Sequence, residues 1–526
     1  MNNKFDFIIV GGGTSGCILA SRLSENSEIQ VLLIEEGNSV FSPWFRIPIG
    51  YAKLLNNRNI TKISKTIPQP NLNFRSIDIP HASVIGGNSM INGMIYMQGY
   101  KSDFDDWERL GCKGWGWDGV KDYFDKFQHK DVKTDRKNLS PVIISKASTN
   151  NELVNAFIKA GGELGYKNRV NYGSPTARGV GLHELTISNG RRQPSIKYLR
   201  KRKNLTILNG HKVSKLIVEG DVVKGVESII QNKKNTYYAK KEVILSAGTL
   251  GTPKVLQLSG IGPKEILRAV KVVLNNNLNG VGKNLQDHFQ LRCVYKIKNS
   301  STYNDLYWSY QKKIYAALKY IFFKNGPMAE GVSLAGLCGS EFINSTEHSI
   351  QMHLTLASGD STNRLHKEPG ITISVYQEKP SSRGSVNIKS NDPNEELEIN
   401  TNYLDTKYDL ESLVASIKLT RKVMNSRSMS NFLKEEIYPG IGVKNEKQIA
   451  SFARSTGSTI YHQCGTCKMG NDIDSVVSSD LIVHSMKNLR IADASIMPNI
   501  VSGNTNATVM MIAEKASDII KKHHNI

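Results

Sequence analysis

The sequence, 526 residues long, predicts an α/β fold whose units interweave instead of following one another. Three observations carry this. An apolar strand, a glycine turn, a helical stretch and a second apolar strand fall within residues 5–35. A set of short strands broken by turn residues recurs at 205–247, and 291–454 mixes strands with helices. No internal repeat and no low-complexity linker separates these regions, so the units must share chain segments.

The elements follow in order. Phe5–Val10 is an apolar run broken only by Asp6, as expected of a largely buried strand. Gly11 to Gly16 forms a turn, and Gly16-Cys-Ile-Leu-Ala-Ser-Arg-Leu23 reads as a helix. Ile29–Ile34 is the next strand and ends at Glu35-Glu36-Gly37. Residues 38–145 read as loop-rich, with a second Gly-Gly turn at 86–87. Residues 151–165 read as helical. Thr206–Asn209, Lys215–Val218, Gly225–Ile229 and Glu242–Ser246 read as strands, punctuated by Gly220-Asp221 and Gln231-Asn232. Turns are expected at Ser381-Ser-Arg-Gly384 and Asn391-Asp-Pro393. The last helix is expected from Thr508 to about Lys521, with Val509, Ile512, Ala513, Ala516, Ile519 and Ile520 on one face.

Composition narrows the class. With 39% hydrophobic residues the chain can bury a large core. No apolar run reaches the roughly 18 residues a membrane span needs. Phe5–Val10 runs straight into the glycine turn, which leaves no room for a cleavable signal, so the expected compartment is the cytoplasm. Six cysteines are too sparse for a disulfide framework. The net charge of +21 would suit nucleic acid, an anionic surface, or a merely basic soluble protein. Arg200-Lys-Arg-Lys203, the densest basic cluster, reads as a solvated turn. No helix-turn-helix, zinc-finger or RNA-binding pattern accompanies it, so no specific nucleic-acid partner is expected. Contact with an anionic surface stays open.

Gly11-x-Gly13-x-x-Gly16 gains its meaning from context: it follows a strand, opens a helix, and Glu35 ends the next strand. This is the Rossmann-like dinucleotide fingerprint. Gly11 permits the tight turn, Gly13 the approach of a pyrophosphate, and Gly16 close helix–strand packing. Thr14 and Ser15 lie in the turn that leads into the helix, whose N-terminus, with free N–H groups and a positive dipole end, suits phosphates. Glu35 can accept from ribose hydroxyls, and its charge repels a 2′-phosphate, against NADP. The fingerprint alone fits NAD and FAD alike.

Several separated stretches together resemble the glucose–methanol–choline (GMC) oxidoreductases, and choline-dehydrogenase-like members in particular. They are Phe5–Gly37, Ile85-Gly-Gly-Asn-Ser-Met-Ile-Asn-Gly-Met-Ile-Tyr96, Ser246-Ala-Gly-Thr-Leu-Gly-Thr-Pro253 and Leu258-Ser-Gly-Ile-Gly262. Gly280-Val-Gly-Lys-Asn-Leu-Gln-Asp-His288, Pro380-Ser-Ser-Arg-Gly-Ser-Val386, Tyr461-His-Gln-Cys-Gly-Thr-Cys-Lys-Met-Gly470 and Ala492-Asp-Ala-Ser-Ile-Met-Pro498 through Ala513 complete them. The resemblance implies FAD and a discontinuous FAD-binding domain, 1–150, 205–290 and 455–526, interleaved with an antiparallel-sheet substrate domain, 151–204 and 291–454. It implies that Gly86, Gly87 and Asn92 lie in the loop against the flavin, that Val213 lies by the adenine, and that Asp493 and Ala494 turn near the pyrophosphate. Some members attach FAD through a histidine whose position here is Ile91, so non-covalent FAD is expected.

The resemblance also implies a reaction: oxidation of an alcohol, with hydride passing to the flavin and His462 taking the hydroxyl proton. Imidazole suits that task near neutrality. Asn506 is expected as the second active-site residue, orienting the alcohol oxygen. The terminal helix is expected to aim its N-terminus, with Asn504, Asn506 and Thr508 as cap types, at the flavin ring. Cys464 and Cys467 stand in C-x-x-C spacing after His462, but a zinc site needs four ligands and no fourth is near, so no metal is expected. They read as small buried residues. Gln463 replaces the proline of relatives, which is expected to loosen the backbone beside the base. Oxygen or a quinone would reoxidise the flavin. Choline, aryl and aliphatic alcohols all stay open as substrates, with Glu330 and Ser333 near the position where a carboxylate would hold an ammonium group. Two other classes share this pattern: a hydroxynitrile lyase that keeps FAD without redox turnover, and an inactive structural flavoprotein.

Overall fold

A computed structural model describes residues 3–127, 140–168, 178–340, 349–360, 362 and 364–526. Strand β1 (Lys4–Val10), helix α1 (Thr14–Leu23) and strand β2 (Val31–Glu35) form the expected βαβ unit. β1 and β2 pair in parallel, and Leu205–Asn209 adds to the far side of β2. Beside β1, the strand Lys233–Leu245 runs parallel through its C-terminal half and then pairs with Leu489–Ile491. Its N-terminal half turns back through Val222–Ile230 and Lys212–Glu219 as an antiparallel extension. One sheet of seven strands therefore draws on three distant chain segments. Its central strands are mostly apolar, as strands covered on both faces must be: Val31–Glu35 is buried at every position.

The second sheet also has seven strands. Leu433–Tyr438, Phe289–Ile297, Gly370–Gln377, Ile350–Thr355, Ser333–Gly339 and Gly179–Leu182 lie side by side, all antiparallel, with Ser458–Thr459 on Phe289–Gln290. Successive side chains on a strand face opposite ways. Leu291, Cys293, Met352, Leu354, Ile373 and Val375 turn into an apolar core with helices Glu152–Glu163 and Lys407–Met424. The alternate positions Gln290, Arg292, His353, Thr355 and Ser374 turn to the other side, where they line a cavity.

Several expectations need correction. The terminal helix runs Asn506–His524, and its N-cap is Thr505, whose side chain caps nothing. It packs on α1 through a buried bidentate pair, Arg22 Nε to Glu514 Oε2 at 2.8 Å and Nη2 to Oε1 at 2.9 Å. The stretch read as loop holds helices Lys101–Arg109 and Trp117–Asp125. Their short, mostly charged sequences hide the helical period; only Phe104 and Trp107 of the first are apolar core residues. Within the basic cluster, Arg202 is no solvated side chain: it donates to Ser24 Oγ at 2.8 Å beside the end of α1. Among the described residues no helix is long and apolar enough to cross a membrane.

Candidate active site

Two glycine loops meet at the end of β1. Gly11 sits at φ +102°, in the region that favours glycine, and a Cβ there would fall 2.5 Å from Ser246 O. At Gly16 a Cβ would lie 1.9 Å from Gly11 O, which is why helix and strand can touch only through glycine. Gly86 N donates to Gly12 O at 2.7 Å, so the second glycine loop hooks onto the first. Gly87 packs on Gly13. Gly13 differs: a Cβ there would meet nothing within 4 Å, because this side opens into the cavity.

The cavity measures about 800 Å³, within the range of small-molecule and cofactor sites, about 300–1,000 Å³. Gly11, Gly13, Thr14, Ser15, Glu35, Gly87, Asn92, Val213, Asp493 and Ala494 all line it, as do Ile91, His462 and Asn506. Gly16 and Gly86 do not; they shape the loops from behind. No side chain caps the first turn of α1, which faces the cavity. An uncapped helix N-terminus, an open glycine cradle and a carboxylate at the end of β2 fit a dinucleotide.

Glu35 carries a duty the sequence did not reveal. Its Oε2 accepts from Gly12 N and its Oε1 from Gly37 N, each at 2.7 Å. The carboxylate thus braces the glycine loop and still lines the cavity, with lone pairs left for a ribose. Burial raises its pKa, against the two backbone donors. Asp493 likewise ties elements together, accepting from Gly248 N at 2.9 Å and Thr252 Oγ1 at 2.6 Å.

At the other end of the cavity lies His462, 7% exposed. Its Nδ1 is 2.9 Å from His288 Nδ1. His288 Nε2 is 2.8 Å from Glu378 O. A carbonyl only accepts, so His288 Nε2 carries the hydrogen. Burial pushes the His288 pKa down to about 4, so near neutrality its Nδ1 holds a lone pair. His462 Nδ1 must then donate, which leaves the lone pair of His462 on Nε2. Burial, with His288 and His353 nearby, holds the His462 pKa well below its ordinary value, so this imidazole is neutral. The chain of contacts leaves Nε2 as the ring nitrogen that can act as a base.

Asn504, and not Asn506, faces that base. Asn504 Nδ2 is 3.0 Å from His462 Nε2. Asn504 Oδ1 is buried with no partner among the described residues, the mark of a site completed by a ligand. Asn506 is turned elsewhere: its Oδ1 accepts from Thr14 Oγ1 at 3.1 Å. The loop bearing Asn504 is held from the helix missed in the sequence. Asp103 accepts from Ser502 N at 2.8 Å, and Trp107 Nε1 donates to Asn499 O at 2.9 Å.

The expected loosening at Gln463 does not occur. Gln463 Nε2 donates to Asp287 Oδ2 at 2.8 Å and to Thr459 Oγ1 at 2.7 Å. Asp287 also takes the His462 N–H at 2.9 Å and the Tyr403 hydroxyl. A glutamine amide thus does by hydrogen bonds what a proline ring does by stiffness. Asp287 pays for its burial with a pKa raised to about 6. Asp287 and His288 were legible as part of the Gly280–His288 motif, but their partners were not. Cys464 and Cys467 are fully buried free thiols, raised in pKa by burial. Among the described residues, the side chains close enough to share an ion are Glu242, His523 and His524, which lie outside this cavity.

Comparison with known proteins identifies the family. Family models described as GMC oxidoreductase match residues 5–290 and 380–513. An alcohol dehydrogenase [acceptor] of Pseudomonas putida is 34% identical over 98% of this chain and 95% of its own. An oxygen-dependent choline dehydrogenase of Photobacterium profundum is 34% identical over 99% of this chain and 93% of its own. Among solved structures, pyridoxine 4-oxidase from Mesorbium loti superposes with a TM-score of 0.87 at 28% identity, covering 99% of both chains. A formate oxidase variant of Aspergillus oryzae, described in terms of its FAD modification, superposes at 0.92 with 25% identity, covering 99% of both chains.

Proposed function

The chain belongs to the GMC oxidoreductase family, and from that premise we propose how its cavity oxidises an alcohol to an aldehyde or ketone with His462 as the base. The cofactor is FAD, which accepts the hydride when bound. The observation that carries the reading is the neutral His462, its Nε2 lone pair set by His288, in one cavity with the glycine loops. Asn504 Nδ2 itself occupies the His462 Nε2 lone pair at 3.0 Å, so a substrate hydroxyl would displace that contact, donating its proton to Nε2 and accepting from Nδ2. Asn504 would hold the oxygen, and Asp287 the backbone of His462. The residue in the attachment position, Ile91, offers no nucleophile, which supports non-covalent FAD. The two sheets support dividing the chain into a cofactor part (1–150, 205–290, 455–526) and a substrate part (151–204, 291–454). The decisive experiment is anaerobic mixing with primary alcohols. Bleaching of the bound flavin supports oxidation; cyanohydrin cleavage without bleaching, or neither, would sink it.

The substrate end favours a neutral or anionic alcohol over a quaternary ammonium. Arg292, Gln290, Ser333, Thr355 and Ser374 line it. The carboxylates lining the cavity are Glu35, Glu36, Asp493, Glu395 and Glu396. The first three belong to the cofactor loops, and Glu395 lies by Lys254, which donates to its carbonyl at 2.7 Å. Glu330 is not in the lining and bonds Tyr303 instead, at 3.1 Å. We expect choline to reduce the flavin far more slowly than an uncharged benzylic or aliphatic alcohol. Choline as the fastest donor in such a panel would overturn this.

Two further variants test parts of the site. His288→Phe removes the acceptor that fixes the His462 tautomer. The rate of flavin reduction should fall by about tenfold or more, with FAD retained and an altered pH profile, and His288→Gln should restore part of it. An unchanged profile would make His288 merely structural. Glu35→Gln keeps the shape but loses the charge. Charge-assisted bonds contribute about 1.5–3 kcal/mol, so FAD should dissociate more readily, measured by flavin release on dilution. Unaltered affinity would remove Glu35 from the ribose site.

A further inference from the structure

The helix Tyr310–Phe323 presents the wrong face to solvent for an ordinary surface helix. Only Ala316 and Tyr320 of its fourteen residues are buried. With about 100° between successive residues, Tyr310, Ile314, Leu318, Ile321 and Phe322 fall in one arc of about 120°, opposite the packed side. All five are exposed, Tyr310 by 78% and Phe322 by 72%. Tyr307 and Trp308 of the preceding short helix Tyr303–Trp308 are exposed as well. Lysines flank the arc: Lys312 and Lys319 on one side, Lys313 and Lys324 on the other. Lys312 lies 3.7 Å from Asp305, and Lys313 sits over the Tyr307 ring.

We propose that this helix is an interfacial anchor that docks the protein on an anionic membrane surface. Aromatic and aliphatic side chains bordered by lysines are what a helix lying in the headgroup plane requires: the apolar arc enters the acyl boundary while the ammonium groups stay with the phosphates. Its fourteen residues are too few to span a bilayer. A contiguous exposed apolar surface marks an interaction site, and charge selects the partner. A second copy would bring the same lysines, and another net charge of +21, against this face. An anionic lipid surface attracts both. Docking here also bears on the cavity, since the chain leaving this helix runs through Gly326 to Val332 and Ser333 in the cavity wall.

The test is flotation of the FAD-loaded enzyme with vesicles of phosphatidylglycerol and phosphatidylcholine, or of phosphatidylcholine alone. The enzyme should float with the anionic vesicles and stay behind with the neutral ones. Leu318→Glu with Phe322→Glu should lower its partition by about tenfold or more, while flavin content and alcohol-dependent bleaching in solution stay unchanged. Three results would each overturn the proposal. The first is a wild type that ignores anionic vesicles. The second is a double variant that binds as well as the wild type, which would place the contact elsewhere on the basic surface. The third is light scattering that shows a dimer dissolved by the variant, with no lipid bound, which would make the partner a second copy.

Discussion

His462→Ala is expected to keep its FAD and to lose about 10²- to 10⁴-fold in the rate of flavin reduction by alcohol, the usual contribution of a positioned general base. The fold should survive, because the imidazole lines the cavity instead of filling the apolar core. Asn504→Ala should cost less, since it removes the donor to the alcohol oxygen and leaves the base. Asn506→Ala should cost least, as its amide engages Thr14 and Met510. The pH profile carries a second signature. Burial holds the His462 pKa well below its ordinary value, so Nε2 keeps its lone pair as the solution is acidified. The wild-type reduction rate should therefore stay on its plateau through about pH 6.5, where an ordinary histidine would lose half its base form. Stopped-flow reduction under anaerobic conditions, with flavin content measured first, checks all three variants. A His462→Ala enzyme with full FAD and the wild-type rate would remove the base from this site.

Gly16→Ala is expected to yield a protein without flavin and with a lower unfolding temperature. The added Cβ would stand 1.9 Å from the Gly11 carbonyl oxygen and 3.0 Å from Ser246 Oγ. The first is backbone in a loop with little room to move, so α1 must shift off β1. Overpacking a close contact costs about 1–3 kcal/mol, and this one is severe. The shift would also carry the phosphate-facing N-terminus out of place. Gly13→Ala is the control. Its Cβ would enter open space, so the apoprotein should melt at the wild-type temperature, while FAD binding weakens because the methyl occupies the cradle. Thermal melts of both apoproteins, with flavin-to-protein ratios, separate the two. Equal melting of wild type and Gly16→Ala would mean that the helix–strand contact carries no weight.

The local half of this protein is written in short stretches of residues. Strand, glycine turn, helix and Glu35 lie within one short stretch, and each signal acts over a few residues, so the βαβ unit was readable from spacing alone. His462 was singled out through the resemblance of its motif, and the interweaving was expected from the absence of any linker. The rest depends on residues far apart in the chain, so it emerges only once they are packed together. His288 and His462 meet across 174 positions, and that contact, not the motif, selects the nitrogen that bears the lone pair. Asn504 and Asn506 look alike in sequence. Asn504 lies in the loop before the N-cap and Asn506 is the first residue of the helix, so their side chains part: one amide faces His462 and the other Thr14. Gln463 read as a loosened backbone until Asp287 and Thr459 were seen to hold it. The charged helix Lys101–Arg109 carried too few apolar residues to show its period, yet Asp103 and Trp107 on it hold the loop that positions Asn504. Short-range preference writes the glycine loop; long-range packing sets which atoms of His462 and Asn504 face each other.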